Sequence, residues 1–523
     1  MKNHILNSHI LVMYLVILCY TCMTYLSYPE QKTTKTPLTL YQYLSLALLS
    51  GQLNLPIEPP AALLRLPNPL DANENEKIRF HNGKPLHHVV HDASFYKNKF
   101  YLYFGTLPVL TFFIPFKLIT GVYPADSLVI LFFLSLGFIF NYLLLIKIKE
   151  QYFPNLPHFQ IVFAGLLLGF ANNSLFLLAR PKMYEAAIAC AFAFISMALY
   201  FLFRFIQQHG QKKNIFLFSL FLSLSIASRP NFLIVTMALI FMMSLYLFIN
   251  VDKKYLFSKM MCLILPFISI CTLLAIYNYL RFDSIFEFGT RYQLLASESG
   301  GNTSIFHQKH FDYTFIFGLY NYFFRLPTLN FDYPYIHFVY RVLDSHVINY
   351  YGYLYESSAG VFATAPFLAI IFLLPGKLRG LYQNHAHFKK LLWFILCLAL
   401  IPMISAGLFV SLSICTQRYI SDFLPYFVLL AILSVWLLDG QLNFAEQKRV
   451  NRFYKLSGAL SIYIGFSFGF CLQTISLSPI TFKIFSYPVI LNFNYCILIM
   501  VIFIVLFAVF TTLRKKVDTE PRP

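Results

Sequence analysis

The sequence predicts an all-α polytopic membrane protein, with about twelve transmembrane helices and two large extracytoplasmic loops that bear surface helices. Three observations carry this. Of 523 residues, 58% are hydrophobic and only 12% charged, about half the charged share of a soluble chain. Apolar runs of roughly 20 residues, long enough to cross a bilayer, recur from end to end. Lysine and arginine concentrate in the short connections between these runs, which is how membrane proteins fix their orientation. The same spread accounts for the +18 net charge and excludes a nucleic-acid partner, which would need the charge gathered on one face.

The elements follow in order. Residues 1–27 form a first span, long and with no small-residue cleavage site after it, so it is read as uncleaved. Residues 28–126 form the first outer loop. Within it, positions 41, 44, 45, 47, 48 and 49 of LYQYLSLALLSGQLNL recur with helical period, predicting an amphipathic surface helix. Its last part, 107–122, is apolar but short and broken by two prolines and a lysine, predicting a re-entrant or interfacial segment. Six spans follow in 127–280 (127–147, 159–178, 183–204, 213–228, 231–250 and 257–280). A second outer loop occupies 281–359. Five spans fill 360–512 (360–375, 390–410, 419–438, 456–474 and 488–512), and a basic tail covers 513–523. With 107–122 not crossing, every strongly basic short connection falls on one side: Lys147–Lys149, Arg204–Lys213, Lys253–Lys254, Lys377–Lys390, Lys448–Lys455 and Arg514–Lys516. That side is the cytoplasm, which holds both termini. The cysteines lie mostly inside apolar runs and read as small core residues.

The opposite face carries the chemistry. Against the orientation rule, single arginines stand in its turns: Arg180, Arg229, Arg281, Arg291 and Arg418. A lone charge at a span end is costly and marks function, and the guanidinium fork matches phosphate oxygens. Arg180, Arg229, Arg291 and Arg418 are therefore candidate phosphate ligands, with Tyr184 and Glu185 of ARPKMYEA supporting them. The first loop supplies acids, of which Asp71 in LPNPLDANENE and Asp92 in HDASFYKNKFYLYFGTLP are the candidate general bases. Both also suit turn positions. The aromatic stretch after Asp92, with Lys99, Tyr101 and Tyr103, suits a wall that stacks on sugar. His81, His87, His88 and His91 match no metal motif, so a divalent ion is left open and no cofactor is assigned. Walker, GxGxxG and HExxH patterns are absent from the sequence.

Taken in order, LSGQLNLP, LPNPLDA, HDASFYKNKFYLYFGTLPVL, ARPKMYEA, SRPNF, NYLRFDSIFEFGTRY and QRYISDFLPY resemble the GT-C superfamily of membrane glycosyltransferases. The resemblance is strongest to bacterial relatives of the dolichyl-phosphate-mannose protein mannosyltransferases and extends over about four-fifths of the chain. It implies a GT-C-like fold in a bacterial inner (plasma) membrane. It implies an enzyme that takes a sugar from a polyprenyl-phosphate carrier at the outer face and passes it, with inversion, to a lipid, glycan or protein acceptor. A first-loop acid would be the base and basic residues would hold the leaving phosphate. One departure stands out: the family's acidic pair opens its first surface helix, whereas here that place reads TKTPLTL and holds no acid. Rival readings are a polymerase or ligase of lipid-linked glycans, whose essential residues would lie in the second loop, and a transporter or flippase. The latter would place polar groups at mid-membrane in repeated halves, and neither feature is visible.

Overall fold

The computed structural model describes residues 2–32, 38–71, 74–75, 80–81, 84–85, 93–207, 210–294, 311–329, 334–338, 354–355, 357–377, 386–412, 414–439, 441–471, 480–484 and 487–491. The long helices are α1 (Lys2–Lys32), α3 (Asp126–Tyr152), α4 (His158–Phe170), α6 (Met183–Gln207), α7 (Lys212–Ser228), α8 (Phe232–Asn250) and α9 (Lys253–Phe282). After the second loop come α11 (Ala386–Val410), α12 (Leu424–Leu438) and α13 (Phe444–Cys471). Three shorter helices matter below: α2 (Leu40–Leu49), α5 (Ser174–Ala179) and α10 (Phe311–Leu319).

Among the described residues, eight helices are long and apolar enough to cross a membrane, and they make this a multi-pass membrane protein. The difference from twelve has local causes. Helix α7 has only 17 residues. Residues 360–375 break into Val361–Thr364 and a 3₁₀ segment, Pro366–Leu373, because Pro366 removes an amide from the helix ladder. Helix α13 carries lysines and arginines through its first half and Ser and Gly through its second. The last expected span, 488–512, lies almost wholly outside the described residues.

Helices α4, α6 and α12 form the centre, and their side chains are almost all buried. Helix α6 packs against α3 and α7, α7 against α9, and α13 against α4 and α5. In lipid, association rests on close backbone approach rather than on expelling water. Gly465 of α13 supplies one such approach: a Cβ there would stand 1.9 Å from the Phe170 carbonyl oxygen. Helices α8 and α9 lie outside. Ile234, Met237, Phe241, Phe248, Leu265, Ile268, Leu273 and Ile276 are exposed on them. An apolar face this broad is a liability in water and an asset against acyl chains.

Two loop segments build one end of the bundle. Helix α2 begins at Thr39, whose amide donates to the Gln42 side chain at 2.9 Å, the reciprocal half of a capping box. It ends before Gly51, at φ +72°. Its Tyr41, Leu44, Ser45 and Ala47 are buried, the face its helical period predicts. Residues Val109–Thr120 form a short helix that cannot cross a hydrocarbon core of about 30 Å at about 1.5 Å per residue. Between them, β1 (Ser94–Tyr96) and β2 (Lys99–Tyr101) pair as a hairpin. Lys97 and Asn98 at its tip both have positive φ, as a two-residue turn of the right twist needs.

The hairpin is tied to the second loop. Ser94 bridges Gln293, and its hydroxyl donates to the Gly289 carbonyl at 2.8 Å. The Leu294 amide donates to Ala93 at 3.0 Å. Arg281, buried at the end of α9, donates to the Leu102 carbonyl at 2.7 Å.

Past the hairpin, Gly105 lies against the end of α7. A Cβ there would meet the Ala227 and Ser228 carbonyl oxygens at 2.2 and 2.3 Å. Both are backbone atoms at a helix end and cannot swing aside. Gly105→Ala is therefore expected to push the FGTLP segment off α7 and cost about 1–3 kcal/mol. Thermal unfolding in detergent would read this as a lowered midpoint, and an unchanged midpoint would show the approach to be unimportant.

Candidate functional site

The α5–α6 turn is set by Pro181, which follows Arg180 and keeps the helix from continuing. It places Arg180 just before Glu185, the third residue of α6. The Glu185 carboxylate is fully buried and lies 3.9 Å from the Arg180 Nε. Neither of its oxygens has a hydrogen-bond donor among the described residues. A carboxylate out of water needs nearby positive charge, and here Arg418, Arg180 and Lys182 supply it. Arg418 lies over the Tyr184 ring, its Cζ 4.3 Å from the centroid, an arrangement that keeps the fork oriented.

The α7–α8 turn, SRPN, contributes Arg229 and Asn231. Arg229 Nη2 and Asn231 Nδ2 both donate to one oxygen of Asp422, at 2.5 and 3.3 Å. Arg229 also faces the Tyr419 ring at 5.7 Å. Arg418, Tyr419 and Asp422 belong to the segment QRYISD just before α12, which is held in place at its start. Gln417 donates to Asn173 Oδ1 at 3.0 Å and accepts from the Ala359 amide at 3.0 Å, and Asn173 donates back to its carbonyl at 3.1 Å.

Helix α2 closes the site from the first loop. The Thr39 hydroxyl donates to Asp126 Oδ1 at 3.1 Å, and the Tyr41 hydroxyl donates to the Gly105 carbonyl at 3.1 Å. Burial pushes the Tyr41 hydroxyl well above its ordinary pKa, so it stays a proton donor. Asp126, Arg229 and Tyr103 are close enough to Tyr41 to act on it electrostatically, and Glu185 acts on Asp126 in the same way. Tyr103 and Phe104 pack at 4.1 Å, and Phe104 meets the edge of Tyr184 at 4.9 Å. The first-loop aromatics thus form a wall that reaches the arginines.

Of the residues singled out in the sequence, Arg180, Tyr184, Glu185, Arg229, Arg418 and Tyr103 come together. Arg291 stands apart: it is exposed on a single 3₁₀ turn and faces Glu287 at 4.0 Å. Lys99 is exposed on β2. Tyr101 packs the hairpin on α9, its ring 5.3 Å from that of Phe282. Asp71 is half-buried in a turn where its amide donates to Asn68 and its carbonyl accepts from Asn75. Asp92 lies outside the described residues, as do the imidazoles of His81, His87, His88 and His91. Among the described residues, no group of three His, Cys, Asp or Glu side chains is placed to hold a metal ion. None of the eight described cysteines forms a disulfide; Cys190, Cys397, Cys415 and Cys471 are buried, and Cys19 and Cys22, three apart on α1, are half-buried.

The residues missed are Asp126, Asp422, Asn231, Asn173 and Gln417. A charge-at-the-span-end criterion applied to acids as well as arginines points to Asp422, whereas Asp126 reads as an ordinary helix start. Asn173 and Gln417 carry no signal a single sequence reveals.

The two loops are latched at the rim of the site. Asp283 accepts from Lys97 at 2.5 Å and from the Tyr96 hydroxyl at 2.8 Å. Lys97 and then Tyr96 hold the Asp283 carboxyl below the ordinary carboxylate range, and Asp283 in turn holds Lys97 above the ordinary amine range. A lowered acid stabilises above its unfolded pKa, about 4, and loses that contribution as pH falls through its folded value. A raised lysine contributes below about 10.4 and loses it as pH rises further. The latch is therefore expected to hold from about pH 5 to 9. Asp283→Asn should open it at neutral pH, read as faster amide exchange across 93–104. Equal exchange in the two proteins would show that the latch does not restrain the hairpin.

No protein-family profile and no curated sequence matches the chain. Two solved structures are similar to it in shape. One is ArnT from Cupriavidus metallidurans bound to undecaprenyl phosphate, at 12% identity and a TM-score of 0.36, over 71% of this chain and 66% of that one. The other is the Archaeoglobus fulgidus oligosaccharyltransferase in its apo form, at 12% identity and a TM-score of 0.41, over 87% of this chain and 56% of that one. The chain thus spans 66% and 56% of their lengths.

Proposed function

We propose that the chain is an integral-membrane glycosyltransferase that moves a sugar from a polyprenyl-phosphate carrier to a lipid, glycan or protein acceptor at the outer face of the membrane. The carrying observation is the gathering of Arg180, Arg418 and Arg229 around Glu185 and Asp422 at the loop end of the bundle. Arg229 is already neutralised by Asp422. Arg418, Arg180 and Lys182 all act on the one buried Glu185 carboxylate, which makes the field around it positive. A phosphate monoester leaving group suits it in charge and in fork geometry.

In the reaction, the acceptor hydroxyl oxygen attacks the anomeric carbon, and the bond from that carbon to the carrier phosphate breaks. The electron pair leaves with the phosphate, where Arg418 and Arg180 stabilise the added charge. The attacking hydroxyl gives its proton to a carboxylate base, and attack opposite the leaving group inverts the centre. Tyr103, Phe104 and Tyr184 present ring faces and edges on which a sugar stacks. Asp71 and Asp92 are the bases that the sequence proposes.

The test is transfer by purified protein in detergent, from a panel of polyprenyl-phosphate sugars to host lipid extract. Transfer that leaves free polyprenyl phosphate in equal amount supports the proposal. Movement of the intact lipid-linked sugar across a vesicle membrane without bond cleavage would replace it with a flippase.

A further inference from the structure

We infer that Asp126, the first residue of α3, is the general base that takes the acceptor proton. This rests on the transferase activity proposed above. Among the described residues, three buried carboxylates lie at the site, and their surroundings differ in one respect that matters for a base. Asp422 is held by the Arg229 guanidinium at 2.5 Å and by Asn231. Glu185 lies in the combined field of Arg418, Arg180 and Lys182. Each therefore already has a cation beside it, Arg229 against Asp422 and Arg180 near Glu185. Asp126 has no such partner. Its donor is a neutral hydroxyl, that of Thr39 at 3.1 Å, and the charged group that acts on it is the like-charged Glu185. Among the described residues Asp126 is thus the carboxylate of the three that no cation contacts, which leaves it open to accept a proton from a hydroxyl placed beside it.

The placement suits the role. The Thr39 hydrogen bond fixes which oxygen is engaged. Asp126 is linked to the arginines through short contacts. Thr39 starts α2, Tyr41 of α2 donates to Gly105, Gly105 abuts Ser228, and Arg229 follows. Glu185 is a second, independent pointer to a ligand here. It is fully buried, and among the described residues neither of its oxygens accepts a hydrogen bond, Arg180 Nε standing 3.9 Å away, as expected where substrate hydroxyls complete the site. The proton moves from the acceptor hydroxyl to Asp126 as its oxygen bonds to the anomeric carbon. It leaves to water after the product departs.

The groups that face Asp126 are Thr39 and Tyr41 on α2 and Glu185 on α6. The test compares wild type, Asp126→Asn, Asp71→Asn and Asp92→Asn in the transfer assay, with donor KM and kcat measured separately. Asp126→Asn still accepts from Thr39 through its amide oxygen, so the fold contact survives. Its kcat is expected to fall at least about 100-fold with donor KM little changed, and added formate, a diffusible carboxylate base, should restore part of it. A structural role for Asp126 gives no rescue. If Asp126→Asn turns over near the wild-type rate, or if kcat is lost in the Asp71 or Asp92 variant instead, the inference is wrong although the transferase reading stands. If wild type itself cleaves no donor, the reading fails and takes the inference with it. Should Asp126→Asn not accumulate, Thr39→Val serves. Loss of the hydroxyl that favours the anion should move the acid limb of the kcat–pH profile to higher pH, and an unmoved limb overturns the assignment.

Discussion

Asp422→Ala is expected to cost about 3–5 kcal/mol of stability, enough to unfold many proteins whose whole margin is about 5–15 kcal/mol. Asp422 and Arg229 are only 2% and 8% exposed, so neither charge can turn to water when its partner goes. The loss would be the cost of an uncompensated guanidinium rather than the worth of the pair. Arg229→Ala should cost a similar amount, leaving the Asp422 carboxylate with Asn231 alone. The double change Arg229→Met with Asp422→Leu removes both charges and fills the volume, and should cost much less than the sum of the singles. Thermal unfolding in one detergent reads all four proteins. Additive losses would mean that the two side chains are not energetically coupled, despite their 2.5 Å contact.

Arg418→Gln is expected to weaken donor binding by about 10- to 100-fold, since a hydrogen bond to a charged group is worth about 1.5–3 kcal/mol. The loss should appear in donor KM and in the affinity for free polyprenyl phosphate. Arg418→Lys should fall between. It keeps the charge but loses the planar fork and the face contact with Tyr184 at 4.3 Å, and lysine does not replace arginine at such a site. Arg291→Gln should weaken binding less than Arg418→Gln, because Arg291 is exposed beside Glu287. An Arg291 effect equal to that of Arg418 would place the phosphate at the second loop instead.

Much of this arrangement was legible in the sequence. Hydropathy located most of the long helices, including α4, α6 and α12, because a span must be apolar for its whole length. The α2 surface helix was legible from its period and from the turn signal of Gly51. Arg180, Arg229 and Arg418 were legible because a charge at a span end is costly and rarely idle. Arg281 is the instructive case. The same criterion flagged it, but the fold uses it to bind the Leu102 carbonyl and Asn278, holding the loops together. Cost marks a residue as needed without saying for what. Asp126 was hidden for a different reason. It sits between loop and span in VYPADS, where an acid reads as an ordinary helix start. Its meeting with Thr39, 87 positions earlier, is a tertiary fact with no local signature. It brings a carboxylate to the start of α2, where TKTPLTL itself has none. The 360–375 segment reads as a span because its composition is apolar, whereas its backbone folds as short turns on either side of Ala365, a break that hydropathy does not register.

The central claim is that the arginines at the loop end of the bundle hold the phosphate of a lipid carrier. It is tested most directly by binding polyprenyl phosphate, with uncharged polyprenol as comparison, to wild type and to the Arg180→Gln, Arg418→Gln double variant in detergent. Wild type should bind the phosphate at least about 100-fold more tightly than the double variant, from two charged contacts of about 1.5–3 kcal/mol each, and polyprenol should bind both proteins equally weakly. Equal affinity of the two proteins for polyprenyl phosphate would contradict the claim.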